Sequence, residues 1–323
     1  MEAFKLDEKD KKIVVELQKN SKASFSQIGK RVKLPKNVVA YRVKRLVDSG
    51  FLSLFCIVVS KTKLNYISSR LFLKLNNLNS EIEDQLINFL KSKKGIYWIA
   101  NLNGCYDFGI IFLSKDISEM NQTYSEIIYK FSRYIHDKDL SITVDSYYFP
   151  LRYVFETKDR IKKSSYKPKS IRLDQTDLNI INFTKQNSRI PLLEISEKLK
   201  ISPQTIRSRI RNLEKAEVIG AYRIRINHKM LGFHHFHTFL NLSNITEKKE
   251  KDIIDFISQL DSTIHIIKGT GKYDLEFESL LKDHFQLFEI ISKIKNRFPE
   301  NILNSDSCLI YKIYDINTVK YEL

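Results

Sequence analysis

Polar and basic side chains recur at helical spacing in the stretch 201–213, ISPQTIRSRIRNL, and they can donate and accept hydrogen bonds. Ile206, Ile210 and Leu213 lie at i, i+4 and i+7, which predicts a helix with one buried face. The opposite face carries donors and acceptors that can reach base edges and phosphates in a DNA groove. The candidate DNA-binding side chains of this stretch are Gln204, Thr205, Ser208, Arg209, Arg211 and Asn212.

A second stretch, 34–46, LPKNVVAYRVKRL, has the same pattern, with Val39, Val43 and Leu46 on the buried face. Its candidate DNA-binding side chains are Lys36, Asn37, Tyr41, Arg42, Lys44 and Arg45. Lys44, Arg211 and Lys215 are expected to contact phosphates, which position a protein without specifying sequence. The candidates for base reading are Asn37, Tyr41, Arg45, Gln204, Ser208 and Asn212.

Arg42 and Arg209 occupy the same position at the edge of the outward face of each stretch. A guanidinium group presents a planar fork of donors that suits a phosphate or a base edge. The alternative is a salt bridge to a neighbouring helix. The sequence leaves both interpretations open.

The two stretches belong to a repeat of the whole half-chain. Leu6–Asp7 matches Leu173–Asp174, and Gly104–Phe108 matches Gly271–Leu275, each 167 residues later. A single offset that holds from one end of the half-chain to the other predicts two copies of one unit. One copy can therefore be interpreted for both.

Each copy opens with three predicted helices. Asp7 and Asp174 are the expected N-caps of the first helices, 8–19 and 175–186, and short helices follow at 24–32 and 192–199. The two stretches described above are the third helices. Extended apolar segments at 51–59 and 218–226 then complete a winged helix-turn-helix in each copy.

The remainder of each copy alternates strands and helices in the order β-α-β-β-α-β, which is the split βαβ, ferredoxin-like arrangement. In the first copy the strands are predicted at 66–75, 96–102, 106–113 and 140–149, and the helices at 81–91 and 117–131. The fold class is therefore α+β, a tandem duplication of a winged helix-turn-helix domain followed by a ferredoxin-like domain. The open face of such a sheet needs cover, which a second copy can supply.

The predicted domain boundaries are 1–60 and 173–228 for the winged helix-turn-helix domains, and 61–156 and 229–323 for the ferredoxin-like domains. A basic linker, 157–172, separates the copies. From Lys158 to Arg172 it carries seven basic residues against Asp159 alone. A solvated connector and an arm that contacts DNA phosphates are equally compatible with this charge density.

The net charge of +16 in 323 residues favours a polyanionic partner, here double-stranded DNA. From Leu6 to Leu52 there are twelve basic and five acidic residues, and from Leu173 to Gly220 eight and six. The first head is therefore expected to bind phosphates more strongly and the second to be more selective. Three cysteines without metal-type spacing, the lack of a signal peptide and the lack of a membrane-length apolar run predict a soluble cytoplasmic protein with no membrane partner.

Three histidines cluster on the first ferredoxin-like strand of the second copy. Alternation along the strand sends His235 and His237 to one face and His234 to the other, and no third ligand is evident. We therefore predict neither a metal site nor a cofactor.

The helix-turn-helix residues Leu173–Asp174, Ile201–Ser202, Thr205–Ile206 and Arg209–Ile210, with Val218–Tyr222 and Gly271–Leu275 further on, resemble the Lrp/AsnC (feast/famine) regulators. The resemblance covers nearly the whole chain, twice, and the first copy departs more from the pattern than the second. It implies a DNA-binding transcription regulator whose ferredoxin-like half, called the RAM domain in that family, pairs subunits sheet to sheet. Here that pairing can occur within one chain, as a pseudo-dimer, or between two chains of a homodimer.

The resemblance also implies an amino-acid effector, bound near the turn between the middle strands of the RAM domain. The candidate effector-binding residues are Gly104, Tyr106, Asp107, Gly271, Tyr273 and Asp274. Turn formation alone also accounts for Gly and Asp at these positions.

Two alternatives compete with a regulator. The sirohaem decarboxylases resemble this fold and also pair two such units, and the histidine cluster with Arg223 and Arg225 invites that interpretation; the regulator-like second copy and the basic third helices argue against an enzyme. The other alternative is an architectural chromatin protein, whose affinity would vary little with DNA sequence and fall steeply with salt.

Overall fold

The computed structural model describes residues 4–76, 78–149, 152–155, 162–165, 171–314 and 321. The chain divides into two compact units, and each unit combines segments from both copies of the repeat. The first unit contains the two helix-turn-helix heads (residues up to 64 and 171–232, with 321), and the second contains the two ferredoxin-like halves (65–165 and 233–314).

The helices are α1 (Glu8–Lys19), α2 (Phe25–Val32), α3 (Lys36–Asp48), α4 (Ser80–Ser92), α5 (Ile117–Phe131), α6 (Arg152–Phe155), α7 (Gln175–Gln186), α8 (Leu192–Leu199), α9 (Pro203–Lys215), α10 (Glu247–Gln259) and α11 (His284–Arg297). The strands are β1 (Leu52–Val59), β2 (Ile67–Leu75), β3 (Ile96–Gly104), β4 (Phe108–Ser114), β5 (Ile135–Tyr148), β6 (Lys162–Ser165), β7 (Ile219–Ile226), β8 (His234–Leu242), β9 (Thr263–Thr270), β10 (Leu275–Leu281) and β11 (Ile302–Tyr314). Among the helices that the structure describes, none is both long and apolar enough to traverse a bilayer.

Each head packs three helices around a small core. Capping boxes start α1 and α7: the Asp7 side chain accepts from the backbone N–H of Asp10, and Asp174 accepts from that of Asp177. The predicted inward residues Ile206, Ile210 and Leu213 of α9 are buried, as are those of α3, Val39, Val43 and Leu46. The periodicity of both stretches therefore identified the buried faces correctly.

The extended segment of each head pairs with that of the other head. Strands β1 and β7 form a two-stranded antiparallel sheet in which Cys56 lies opposite Arg223, its equivalent 167 residues later. The hydroxyl oxygens of Ser21 and Ser188, also equivalent, lie 2.7 Å apart. These two pairs mark a pseudo-two-fold axis that relates the two heads.

In the second unit, each copy forms a four-stranded antiparallel sheet in the order β5-β2-β4-β3 or β11-β8-β10-β9. This confirms the ferredoxin-like prediction. The two sheets also join at their edges: β3 pairs with β11, and β9 pairs with β5. Eight strands consequently form a closed ring of hydrogen-bonded neighbours, with β6 attached to β5.

Three apolar cores result from this arrangement. Helices α4 and α5 cover the outer face of the first sheet around Leu71 and Phe108, and α10 and α11 cover that of the second around Phe236 and Phe277. The inner faces of both sheets share a third core, which contains Phe72, Leu102, Tyr106, Phe239, Tyr273 and Ile310. The open faces are thus covered within the chain.

The main differences from the sequence prediction concern two strands and the linker. Strand β5 begins at Ile135 instead of 140, because its first residues pair with β2 as far as Leu75. Strand β4 begins at Phe108 instead of 106, because Tyr106 turns into the inner core. Residues 162–165 of the expected linker 157–172 form β6, residues 171–172 are described, and the other linker residues lie outside the described part of the chain.

Candidate nucleic-acid interface

The third helix of each head, α3 or α9, is set by a tight turn after the second helix. Lys33 and Lys200, at the ends of α2 and α8, adopt left-handed backbone with φ of 56° and 55°. Ser202 caps α9 through the backbone N–H of Thr205, and Pro203 occupies the first turn, whereas α3 follows Pro35 without a side-chain cap. The same turn therefore positions both third helices.

The candidate side chains mostly face solvent, as predicted. On α3 the exposed candidates are Lys36, Asn37, Tyr41, Lys44 and Arg45; on α9 they are Gln204, Thr205, Ser208, Arg211 and Asn212. Tyr41 is 69% exposed, which leaves nearly its whole ring and hydroxyl available for contact. Each head thus presents one continuous polar face from its third helix.

Arg42 and Arg209 differ from the other candidates because each is only partly exposed and pairs with two carboxylates of its own head. Arg42 Nη1 lies 2.7 Å from Asp7 and 2.8 Å from Asp10, and Arg209 Nη1 lies 2.7 Å from Asp174 and 3.0 Å from Asp177. Each guanidinium therefore ties the third helix to the capping box of the first. This is the salt bridge to a neighbouring helix that the sequence left open, and a DNA contact by either arginine stays a prediction.

These pairs perturb the carboxyl groups that cap the first helices. The backbone N–H of Asp10, followed by the guanidinium of Arg42, lowers the pKa of Asp7 to about 2. The equivalent donors, the Asp177 N–H and Arg209, also lower the pKa of Asp174. Both caps are thus held ionised near neutral pH.

The first head adds a second arginine to this contact. Arg45 Nη2 donates to Asp10, which therefore lies between the guanidinium groups of Arg42 and Arg45. The Asp10 side chain has no exposed surface. In the second head Asn212 stands at the position of Arg45, and Asp177 keeps 16% of its side-chain surface exposed. The first head consequently buries its carboxylate more completely than the second.

Some cations on the third helices form no ion pair with any residue that the structure describes. Lys44 and Arg211 are equivalent, exposed and unpaired, which suits the phosphate contacts predicted for them. Arg207 is also exposed and unpaired, and the sequence prediction missed it. The sequence feature that could have identified Arg207 is its position directly after Ile206, at the edge of the apolar stripe. The first head has Ala40 at the equivalent position.

The predicted effector turns are built by their own residues. The carboxylate of Asp107 accepts from the backbone N–H of Leu75 at 2.8 Å, and that of Asp274 from Leu242 at 2.7 Å. Tyr106 and Tyr273 are buried in the shared inner core.

The two glycines of these turns lie where the neighbouring copy approaches closely. A Cβ on Gly104 would lie 2.3 Å from the Ser307 carbonyl oxygen, and one on Gly271 would lie 2.7 Å from the Cβ of Ser141. Strand packing therefore accounts for the glycines, and effector binding by these turns stays a prediction.

A buried polar cluster inside the ring of strands was missed at the sequence level. As alternation predicts, His235 and His237 share the inner face while His234 is exposed. His237 Nε2 donates to Glu276 at 2.7 Å, and Arg70 Nη2 lies 3.2 Å from the same carboxylate. Arg70 and His237 are equivalent residues of the two copies, so the pseudo-two-fold relation places both on one glutamate.

Glu278 organises the neighbouring part of this cluster. His235 Nε2 lies 3.0 Å from it and His265 Nδ1 lies 3.3 Å from it. Burial opposes its ionisation, but the bonds from His235, His237 and His265 hold its pKa well below the usual range. The signal was the alternation of Glu276 and Glu278 on β10 beside the histidines of β8.

Burial and pairing act in opposite directions on the other ionisable groups of the cluster. Burial opposes the charge of His237, but the hydrogen bond to Glu276 outweighs it and raises the pKa. Burial also opposes ionisation of Glu276, but Arg70 and His237 together lower its pKa. For His265, burial prevails and lowers the pKa. Within the described residues, no three His, Cys, Asp or Glu side chains are arranged to hold a metal ion.

Comparison with known proteins points to the heads. A family model described as winged helix-turn-helix DNA-binding matches residues 6–53 and 173–219. The chain is 32% identical over 111 residues to the HTH-type transcriptional regulator Ptr1 of Methanocaldococcus jannaschii, covering 34% of this chain and 74% of that protein. It is 26% identical over 122 residues to the HTH-type transcriptional regulator LrpA of Pyrococcus horikoshii, covering 37% and 84%.

A solved structure matches both copies at once. The siroheme decarboxylase NirDL superposes with a TM-score of 0.67 at 14% identity, covering 97% of this chain and 94% of that one. At this identity the likeness shows a shared tandem fold and nothing of activity. Two exposed, basic helix-turn-helix heads define a DNA-binding protein. The chain belongs to the Lrp/AsnC family of transcription regulators.

Proposed function

We propose that this protein is a transcription regulator that binds double-stranded DNA through two non-identical heads and recognises a two-part site. The observation that carries the proposal is the pair of third helices, α3 and α9, which expose different side chains at equivalent positions. Asn37 corresponds to Gln204, Tyr41 to Ser208, and Arg45 to Asn212.

Base recognition depends on the pattern of donors and acceptors that a side chain presents in the major groove. An amide such as Gln204 can bond an adenine edge, whereas the phenol of Tyr41 and the small hydroxyl of Ser208 reach different distances from the helix axis. The two halves of the site should therefore differ in sequence. Because the two heads of one chain differ, the chain should also bind its site in one orientation.

The ion pairs of Arg42 and Arg209 separate two roles within each head, support of the third helix and contact with DNA. A guanidinium held by two carboxylates fixes the angle between the first and third helices, while Lys44 and Arg211 remain available for phosphates. We therefore assign the reading role to Asn37 and Tyr41 in the first head and to Gln204, Ser208 and Asn212 in the second. Arg45, paired with Asp10, is a weaker candidate for reading.

We also infer that regulation, not catalysis, is the activity of the chain. Two of the three histidines that invite the decarboxylase alternative, His235 and His237, are buried and paired with Glu278 and Glu276, which gives them a role in packing the two copies. An amino-acid effector and a homodimer with four heads are further proposals, supported by the family resemblance. Light scattering of the purified protein tests the homodimer.

The test of the proposed function is selection of bound sequences from random duplex DNA, followed by genome-wide binding. We expect an enriched motif with two unlike halves at one fixed spacing. Uniform coverage without a motif would instead identify an architectural protein, and identical sequences at the half-sites of the two heads would contradict the two-reader proposal. Release of carboxyl groups from added sirohaem would establish the enzyme alternative.

A further inference from the structure

Two cysteines from different copies of the repeat meet at one seam of the ring of strands. Cys105 follows the last residue of β3, and Cys308 lies in β11 directly opposite Gly104. Their sulfur atoms are 3.2 Å apart. Because they are 203 residues apart in sequence, their meeting is a product of the pairing of the two copies.

The two thiols have different surroundings. Cys308 is 1% exposed and its sulfur accepts a hydrogen bond from the backbone N–H of Tyr106 at 3.3 Å. Cys105 lies in the turn before β4 and is partly exposed. One thiol is therefore accessible to a small reagent, and the other is held against it from within the core.

The opposite seam provides an internal comparison. There β5 pairs with β9, and the residues equivalent to Cys105 and Cys308 are Lys272 and Ser141. The thiol pair thus exists at only one of two pseudo-equivalent seams. The third cysteine, Cys56, belongs to the first unit, and burial raises the pKa of its thiol, which makes it a poor nucleophile.

We propose that Cys105 and Cys308 are a reversible oxidation site for peroxides, at which a disulfide covalently joins the two copies of the repeat. Peroxide enters beside the partly exposed Cys105, and the Cys308 thiolate attacks it, so that Cys308 becomes a sulfenic acid, the O–O bond breaks, and the departing hydroxide takes up the proton that the Cys308 thiol had lost as a first water. The Cys105 thiol then gives up its proton and attacks the Cys308 sulfur, so that the S–S bond forms, the S–O bond breaks, and the departing hydroxide takes up that proton as a second water. Two thiols and one hydrogen peroxide become one disulfide and two waters.

The hydrogen bonds around Cys308 favour this division of roles. Donation by the Cys105 thiol and by the Tyr106 amide stabilises a thiolate at Cys308 and lowers its pKa. The sulfur that attacks peroxide is therefore ionised more readily than an ordinary buried thiol. The same contact raises the pKa of Cys105, which keeps its proton until the sulfenic acid forms beside it. A thiol reductant reverses the step by exchange.

The disulfide should stabilise the second unit. A cross-link between residues far apart in sequence restricts the unfolded chain more than the folded one. Since β3 and β11 are already hydrogen-bonded neighbours, the link adds to a seam that exists without it. The inference stands apart from DNA binding, because it concerns only the ferredoxin-like unit.

The test treats the full chain with hydrogen peroxide, blocks free thiols with iodoacetamide, and maps peptides by mass spectrometry. We expect a Cys105–Cys308 peptide pair, an alkylated Cys56, and a higher urea midpoint for the second unit that dithiothreitol reverses. Cys105→Ser and Cys308→Ser should each abolish the pair and the shift, whereas Cys56→Ser should keep both.

Trapping with dimedone separates the two steps. In Cys105→Ser the sulfenic acid at Cys308 should persist and be labelled when the treated protein is unfolded in the presence of dimedone, while the wild type should show little label. If Cys105→Ser does not fold, Cys105→Ala serves the same purpose, because position 105 is partly exposed. The proposal is wrong if Cys105 and Cys308 are both alkylated when the peroxide-treated protein is unfolded in urea with iodoacetamide, or if the disulfide that forms contains Cys56.

Discussion

The two heads are built from the same three helices and strand, yet they hold and use the third helix differently. In the first head Arg42 and Arg45 both reach Asp10, which is completely buried. In the second, Arg209 alone spans Asp174 and Asp177, and Asn212 is left exposed on the polar face. One position, 45 or 212, therefore decides whether the third helix adds a second contact with the first helix or keeps a neutral side chain on its exposed polar face.

The charge balance follows the same division. The first head carries seven more basic than acidic residues, and the second two more. The pairs of Arg42 and Arg45 with Asp7 and Asp10 leave this excess unchanged, because they match two basic residues with two acidic ones. The first head therefore combines a firmly held helix with a strong general attraction for phosphate, and the second combines a more loosely held helix with more neutral polar groups.

Asp10→Asn should have the largest effect on the free energy of unfolding. The change leaves two guanidinium groups facing a neutral amide, and we expect a loss of about 2 kcal/mol, less than for a fully buried pair because both arginines reach solvent. Asp177→Asn should cost about 1 kcal/mol, since one partly exposed arginine is affected and water screens it. Urea unfolding of the full chain measures both.

A matched control for this pair is Glu8→Gln, which removes only an exposed contact with Lys11. It should change stability by less than about 0.5 kcal/mol. Equal losses for Asp10→Asn and Asp177→Asn would mean that Arg45 adds nothing to the first head.

Sequence periodicity predicted the elements well because each element has a local cause. Helix α1 begins at its capping box and α7 repeats that signal, so both were predicted with their observed bounds. Edge pairing was not predictable in the same way. Alternation specifies which face of a strand is buried but not which strand lies beside it, so the β1–β7 sheet and the closure of the ring were missed.

The candidate site shows the same limit. Exposure of Tyr41 or Ser208 follows from the helical period, since the apolar stripe fixes the opposite face. The partners of Arg42 lie 35 and 32 residues away, and its guanidinium suits a carboxylate as well as a phosphate. Glu276 meets Arg70 only because the two copies pair, which no local pattern encodes.

Asn37→Ala and Gln204→Ala should separate the two readers on DNA. Each removes one exposed amide from one head, so each should relax the preference at a single position in its own half of the site, by about 1–2 kcal/mol. Binding to a panel of singly substituted sites, measured at one salt concentration, gives the result. Loss of preference in both halves from one substitution would contradict independent readers.

Lys44→Ala and Arg211→Ala should have smaller and uniform effects. Both residues are exposed, equivalent and unpaired among described residues, so each should weaken binding to all sequences alike and reduce the slope of log affinity against log salt by about 0.9. Arg207→Ala should be measured beside these two variants, because the first head has Ala40 at the equivalent position and lacks this cation. A change in sequence preference from Lys44→Ala would reassign that lysine to base reading.

The smallest expected effect is the loss of stability at low pH, when the helix caps Asp7 and Asp174 become protonated. The pKa of Asp7 falls from 3.8 to about 2 on folding, and that of Asp174 is also lowered. A group with a depressed folded pKa contributes its stability in full above the unfolded value and loses it as pH falls toward the folded value. The contribution of Asp7 should therefore disappear between about pH 4 and pH 2.

Unfolding midpoints of the wild type, Asp7→Asn and Asp174→Asn between pH 5 and pH 2 test this expectation. Asparagine still caps a helix but cannot ionise, so Asp7→Asn should be less stable than the wild type at pH 5 and converge with it near pH 2. Asp174→Asn should converge in the same direction. The backbone N–H of Asp10 is the largest cause of the lowered pKa of Asp7, so Arg42→Gln should reduce the acid dependence without removing it. Parallel stability curves for Asp7→Asn and the wild type would show that the pKa of the cap carboxylate is not altered.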